Sequence, residues 1–145
     1  MSNLQNKSEI FYDAAKLLHD NNMHAAVAHG AYFSCVQLMK HIWLYSIRKS
    51  ENDLNKELRH FNKNAMASGS KTFGVHEFLI NNIGSFIKSF PLVNARNDFR
   101  TFNNAIWQLK DLRTNADYSD SQFDDMDSFY SLTLANKIMP ILKKY

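Results

Sequence analysis

An arginine stands at position 113, near the end of the run DFRTFNNAIWQLKDLRTNADY. Phe99, Phe102, Ile106, Leu109 and Leu112 recur there at threes and fours, the spacing of one face of an α-helix. Ile106 lies seven residues after Phe99, and seven more reach Arg113, a drift of only about 20° per step on an ideal helix. The spacing therefore turns Arg113 inward. A buried guanidinium is costly unless paired, so this position implies a carboxylate, a set of carbonyls, a subunit partner or a phosphate opposite it. Asp117, four residues on, is the nearest candidate. Tyr118 follows the amphipathic run, where its ring and hydroxyl can serve a ligand by stacking or hydrogen bonding. Arg113, Asp117 and Tyr118 are thus the candidate site residues, read either as a phosphate-binding set or as a local Arg113–Asp117 pair of structural value.

Other reactive residue types fall into less productive patterns. His19, His24 and His29 are spaced by fives, which on one helix rotates successive rings about 140° apart, and His41, His60 and His76 are isolated. Metal ligation from one helical face needs spacings of three or four, so the histidines read as polar surface residues and no metal or cofactor is expected. A site assembled from histidines on distant helices is the alternative. No glycine-rich phosphate loop is present. Cys35 falls within an apolar stripe and reads as a small core residue.

Helical periods run through nearly the whole chain, which has only four glycines and two prolines. The spacing predicts a first helix from Ser8 to Asp20, stopped by Asn21 and Asn22. A long second helix follows from Met23 to Lys49, whose stripe through Val27, Ala31, Cys35, Leu38 and Ile42 is wide enough for two neighbours. Residues 50–72 are polar and read as a surface connection with a helical turn at Leu54–Phe61. A third helix spans Val75–Ser89 and a fourth Ala95–Asp117. The last begins near Ser121, which with Asp124 resembles a capping box, and carries a proline at 140 where it can bend. The expected fold is all-α, an antiparallel up-and-down bundle of four long helices and one shorter, forming a single domain over residues 1–145.

A chain of 145 residues can bury a core without disulfides, and a single cysteine cannot form one internally. The stretch MSNLQNKSEIFYDAAKLL is polar where a signal peptide would be apolar, and no run approaches the roughly 20 apolar residues of a membrane span. A soluble, cytoplasmic protein is expected. The net charge of +3 is modest but uneven, with Lys40, Arg48, Lys49, Lys56, Arg59 and Lys63 in one region and five aspartates between 117 and 127.

Taken in order, HAAVAHGAYFSCVQLMKHIW, KTFGVHEFL and LRTNADY, set in an all-α chain of this length, resemble the HEPN domain family over roughly residues 5 to 142. In that family a helical bundle dimerises, and many members are metal-independent ribonucleases using an arginine followed after four to six residues by a histidine, brought by both protomers to a shared cleft. Arg113 matches the arginine, whereas the position five residues on holds Tyr118. The ending Arg113, Ala116, Asp117, Tyr118 resembles a subfamily with an Arg-x-x-Ala-Asp-Tyr pattern. The resemblance implies a homodimer, RNA or nucleotide as ligand, and a toxin–antitoxin or phage-defence setting with a nucleotidyltransferase as partner protein. A histidine with pKa near 6.5 exchanges protons at neutral pH, whereas a tyrosine with pKa near 10 is ionised to about one part in a thousand, so the substitution weakens catalysis more than binding. Three functions compete: an RNA- or nucleotide-binding domain, an active ribonuclease toxin using Tyr118 or a histidine from elsewhere in the fold, and a structural interaction dimer.

Overall fold

The computed structural model describes residues 1–145 and is entirely helical. Helix α1 spans Asn3–Asp20, α2 His24–His41, α3 Glu51–Ala67, α4 Val75–Ser89, α5 Ala95–Tyr118 and α6 Asp125–Leu142. A wider π-helical turn, Ile42–Ser46, extends α2. The all-α bundle follows the sequence reading, but the helices number six, all of them long.

The differences have local causes. Helix α1 starts at Asn3, earlier than Ser8, because Ser2 and Gln5 form a reciprocal capping box. Residues 51–67, read as a connection, form the full helix α3, which Ser50 and Asp53 cap in the same way. Its apolar face is only one residue wide: Leu54, Leu58, Phe61 and Ala65 recur at fours and threes among polar residues. Asp124, and not Ser121, caps α6, paired with Asp127. That helix continues through Pro140 to Leu142, so the proline removes one backbone donor near the end without terminating it.

Helix α2 is central, packing on α1, α4, α5 and α6. Its length is buried on several sides, from Val27 to Trp43. Close approach to α1 requires Gly30, where a Cβ would lie 3.2 Å from both Ala15 Cβ and the Phe11 carbonyl oxygen. Hydroxyls buried in these contacts are bonded: Ser8 Oγ donates to the Ser34 carbonyl at 2.7 Å, and Ser34 Oγ to that of Ala31 at 2.6 Å. Helices α4 and α5 pack side by side, and α5 lies against α2 and α6. This arrangement brings the C-terminal end of α5, carrying Arg113, onto the first half of α2 and the first turn of α4.

Candidate functional site

Arg113 is mostly buried, its side chain 20% exposed, as its phase with Ile106 requires. Its Nε lies 3.0 Å from Asp117 Oδ2, one helical turn on. The N–H is not aimed at that oxygen, however, and Arg113 Nε has no hydrogen-bond acceptor. The contact is an ion pair without a directed hydrogen bond. The same carboxylate oxygen sits 3.3 Å from His29 Nδ1 on α2, so Asp117 is shared between two helices.

Around the guanidinium stand three aromatic rings. Its carbon lies 5.4 Å from the centroid of Phe33, 5.9 Å from Tyr32 and 5.8 Å from Tyr118. Cation–π attraction thus helps to hold a charge that the ion pair only partly compensates. Tyr118 is 76% exposed and covers the outer side, whereas Tyr32 is fully buried beneath. His76, at the start of α4, completes the group with its ring 5.4 Å from Phe33 and 5.6 Å from Tyr32.

The structure therefore brings Arg113, Asp117 and Tyr118 together, and adds His29, Tyr32, Phe33 and His76. His29, Tyr32 and Phe33 lie at spacings of three and four on one face of α2. That spacing was visible in the sequence, but His76 reaches them only through tertiary packing. His76 is half-buried against rings, so its reading as a surface residue is corrected. His19 and His24 also converge, against their spacing by five. His19 and His24 lie on different helices, either side of a turn in which Asn22 takes a left-handed φ of 60°. Their Nδ1 atoms both meet the buried Ser128 Oγ, at 2.6 and 3.0 Å.

Two buried side-chain atoms, Tyr32 Oη and Arg113 Nε, lack a directed hydrogen bond, and they belong to this one cluster. Burial pushes the Tyr32 hydroxyl well above the ordinary tyrosine range, against the opposing pull of Arg113, so it remains a proton donor. His76 is held below the ordinary histidine value, first by burial and then by the charges of Arg113, Lys40 and Lys110. At neutral pH its imidazole is uncharged and can accept a proton. Arg113, Asp117 and Tyr118 line none of the pockets beside Trp43, Phe129, Phe99, Phe61 and Phe123. Within one chain the site is thus an open array of side chains. No three His, Cys, Asp or Glu side chains converge as metal ligands.

The His76 environment has a consequence for stability. Its folded pKa lies below the unfolded value of 6.5, so the fold favours the neutral ring. That contribution is complete above the unfolded pKa and is lost as pH falls below it. The melting temperature is therefore expected to drop between about pH 7 and about pH 5.5, before most carboxylates protonate, and His76→Gln should flatten the profile in that window. An equally steep profile in the variant would assign the effect to other groups.

Comparison with protein-family models, with curated proteins and with solved structures finds no match to this chain. No helix is long and apolar enough to cross a membrane.

Proposed function

We propose that this chain is a HEPN-like domain that binds RNA or a nucleotide through a phosphate held at Arg113, with Asp117 and Tyr118 beside it. The observation that carries this reading is the Arg113 guanidinium, ringed by Phe33, Tyr32 and Tyr118 and balanced by an Asp117 carboxylate that His29 shares. The planar fork of an arginine is well suited to hold two phosphate oxygens at once.

The reading includes a homodimer. An array open on one side becomes a cleft when a second copy faces it, and Ile10, Leu17, Met126 and Phe129 offer exposed apolar surface to such a partner. A toxin–antitoxin or phage-defence role with a nucleotidyltransferase partner follows from the family resemblance. A structural interaction dimer would use Arg113 and Asp117 as a polar network.

A second reading, an active metal-independent ribonuclease, draws on His76 and His29. Cleavage of RNA needs one group to take the proton of the 2′-hydroxyl and another to give one to the leaving oxygen. His76 is uncharged at neutral pH and suits the first role; His29, bonded to Asp117, is placed for the second. Light scattering should give a dimer, and purified protein should bind labelled single-stranded RNA in the presence of a chelator. Binding without cleavage supports the first reading, and cleavage abolished by His76→Gln the second. Neither binding nor cleavage, in a protein that scatters as a monomer, would refute both.

A further inference from the structure

At the opposite end of α5 from Arg113, Lys88, Arg96 and Arg100 surround a pocket of about 340 Å³ together with Phe99. Two helices build it: Lys88 comes from the last turn of α4, and the others from the first two turns of α5. The helices approach closely because residue 84 is glycine; a Cβ there would lie 3.1 Å from the Phe99 ring. Lys88 Nζ sits 5.4 Å from the centroid of that ring.

The pocket's cations are uncompensated. None of the chain's ion pairs includes Lys88, Arg96 or Arg100. The one acid in the first turn of α5, Asp98, is turned away, its carboxylate accepting from Lys144 Nζ at 3.2 Å and Tyr145 Oη at 2.7 Å. The positive pole of α5 lies at the same end, and its N-cap, Asn94, makes no side-chain cap. Three like charges gathered without a counter-charge repel one another, and an arriving anion relieves that repulsion.

The α4–α5 seam connects this pocket to the site already described. Arg96, Arg100, Asn103, Trp107 and Lys110 recur at fours and threes along one face of α5, with Asp111 at its edge. Trp107 is only partly buried, and its Nε1 donates to Asn103 Oδ1 at 3.2 Å. At the far end Lys110 lies close enough to His76 to depress its basicity, beside Arg113. From Arg96 to Arg113 the helix rises about 25 Å. Positive charge therefore marks both ends of one seam, with an indole between them.

We infer that the Lys88–Arg96–Arg100 pocket is a second phosphate-binding site, and that the ligand is a single-stranded nucleic acid lying along the α4–α5 seam with another of its phosphates at Arg113. This rests on the reading of Arg113 given above and specifies it further: the ligand is a strand of several nucleotides, not a mononucleotide. Single-strand-binding folds hold roughly 4–16 nucleotides by combining a basic track with aromatic stacking.

The test is fluorescence anisotropy with two labelled, 2′-O-methylated RNAs, which resist cleavage: one of about 12 nucleotides and one dinucleotide, across a salt series. Wild type should bind the longer probe more tightly. The triple variant Lys88→Ala, Arg96→Ala, Arg100→Ala should lose about 10- to 100-fold for the longer probe at low salt and flatten its salt slope by about two, while dinucleotide binding is unchanged. All three residues are exposed, so the fold should be retained, and an unchanged melting curve checks this. Arg113→Ala should weaken both probes. Equal binding of both probes by wild type and triple variant would overturn the second site and leave the Arg113 reading standing. Loss in the triple variant with Arg113→Ala neutral would overturn the Arg113 reading and the shared strand with it. A triple variant that loses only binding to phosphatidylserine vesicles would assign the pocket to anionic lipid and overturn the inference.

Discussion

Trp43→Ala is expected to lower the free energy of unfolding by about 3–5 kcal/mol, a large share of the stability of a domain this size. Trp43 is 2% exposed at the point where α2 widens into the π-helical turn. Its ring fills the core beside Leu54 of α3, and its Nε1 donates to the Ser50 carbonyl at 2.8 Å, the residue that caps α3. One side chain therefore closes the core and anchors the start of the next helix. Helix α3 is otherwise held by the buried Leu54 and Ala65, by Phe61 stacked on Phe73 with centroids 4.8 Å apart, and by Asn62, whose amide bonds both backbone groups of Phe73 at 2.9 and 2.8 Å. The alanine variant should lose helical circular dichroism before its main transition as α3 detaches. Trp43→Phe keeps most of the ring and removes the hydrogen bond, so its loss should be nearer 1–2 kcal/mol, about the worth of one bond plus a small cavity. Urea unfolding separates the two; an alanine variant within about 1 kcal/mol of wild type would show that α3 is anchored elsewhere.

What could be read in advance divides along the same lines. Helices α2, α4 and α5 declare themselves because their apolar residues outnumber the alternatives on one face. In α3 the stripe is a single residue wide, so its polar content masks the period, although Ser50 and Asp53 supplied the capping signal. At α6 two overlapping patterns competed, Ser121 with Asp124 and Asp124 with Asp127, and the second coincides with the start of the apolar face. Arg113 was legible because its position rests on a period within one helix. Tyr32, Phe33 and His76 join it across three helices, a contact set that no single period encodes. His19 and His24 mislead for the converse reason: a uniform rotation was assumed across a turn that ends one helix and starts another.

Arg113→Ala is expected to leave the fold nearly intact, within about 1–2 kcal/mol, while weakening RNA binding by about 1.5–3 kcal/mol, roughly 10- to 150-fold. Removing one partner of a fully buried pair typically costs about 3–5 kcal/mol, because the remaining charge is stranded. Asp117 is not stranded here: its side chain is 25% exposed, and His29 Nδ1 stays 3.3 Å from its Oδ2. What folding loses is mainly the contact of the guanidinium with Phe33, Tyr32 and Tyr118, worth about 0.5–1 kcal/mol at a partly exposed site. Binding loses the only strong charge in the array that can grip two phosphate oxygens. Arg113→Lys separates charge from geometry, since lysine keeps the former and not the planar fork; it should recover stability but only part of the affinity. Tyr118→His tests the chemistry at the same place. If the array is shaped for a phosphodiester, an imidazole at position 118 would restore a group that titrates near neutrality, and cleavage of RNA in chelator should appear or increase with an optimum between about pH 6 and 8. A variant that melts far below wild type, or an arginine replacement that leaves RNA affinity unchanged, would reduce Arg113 to a structural residue.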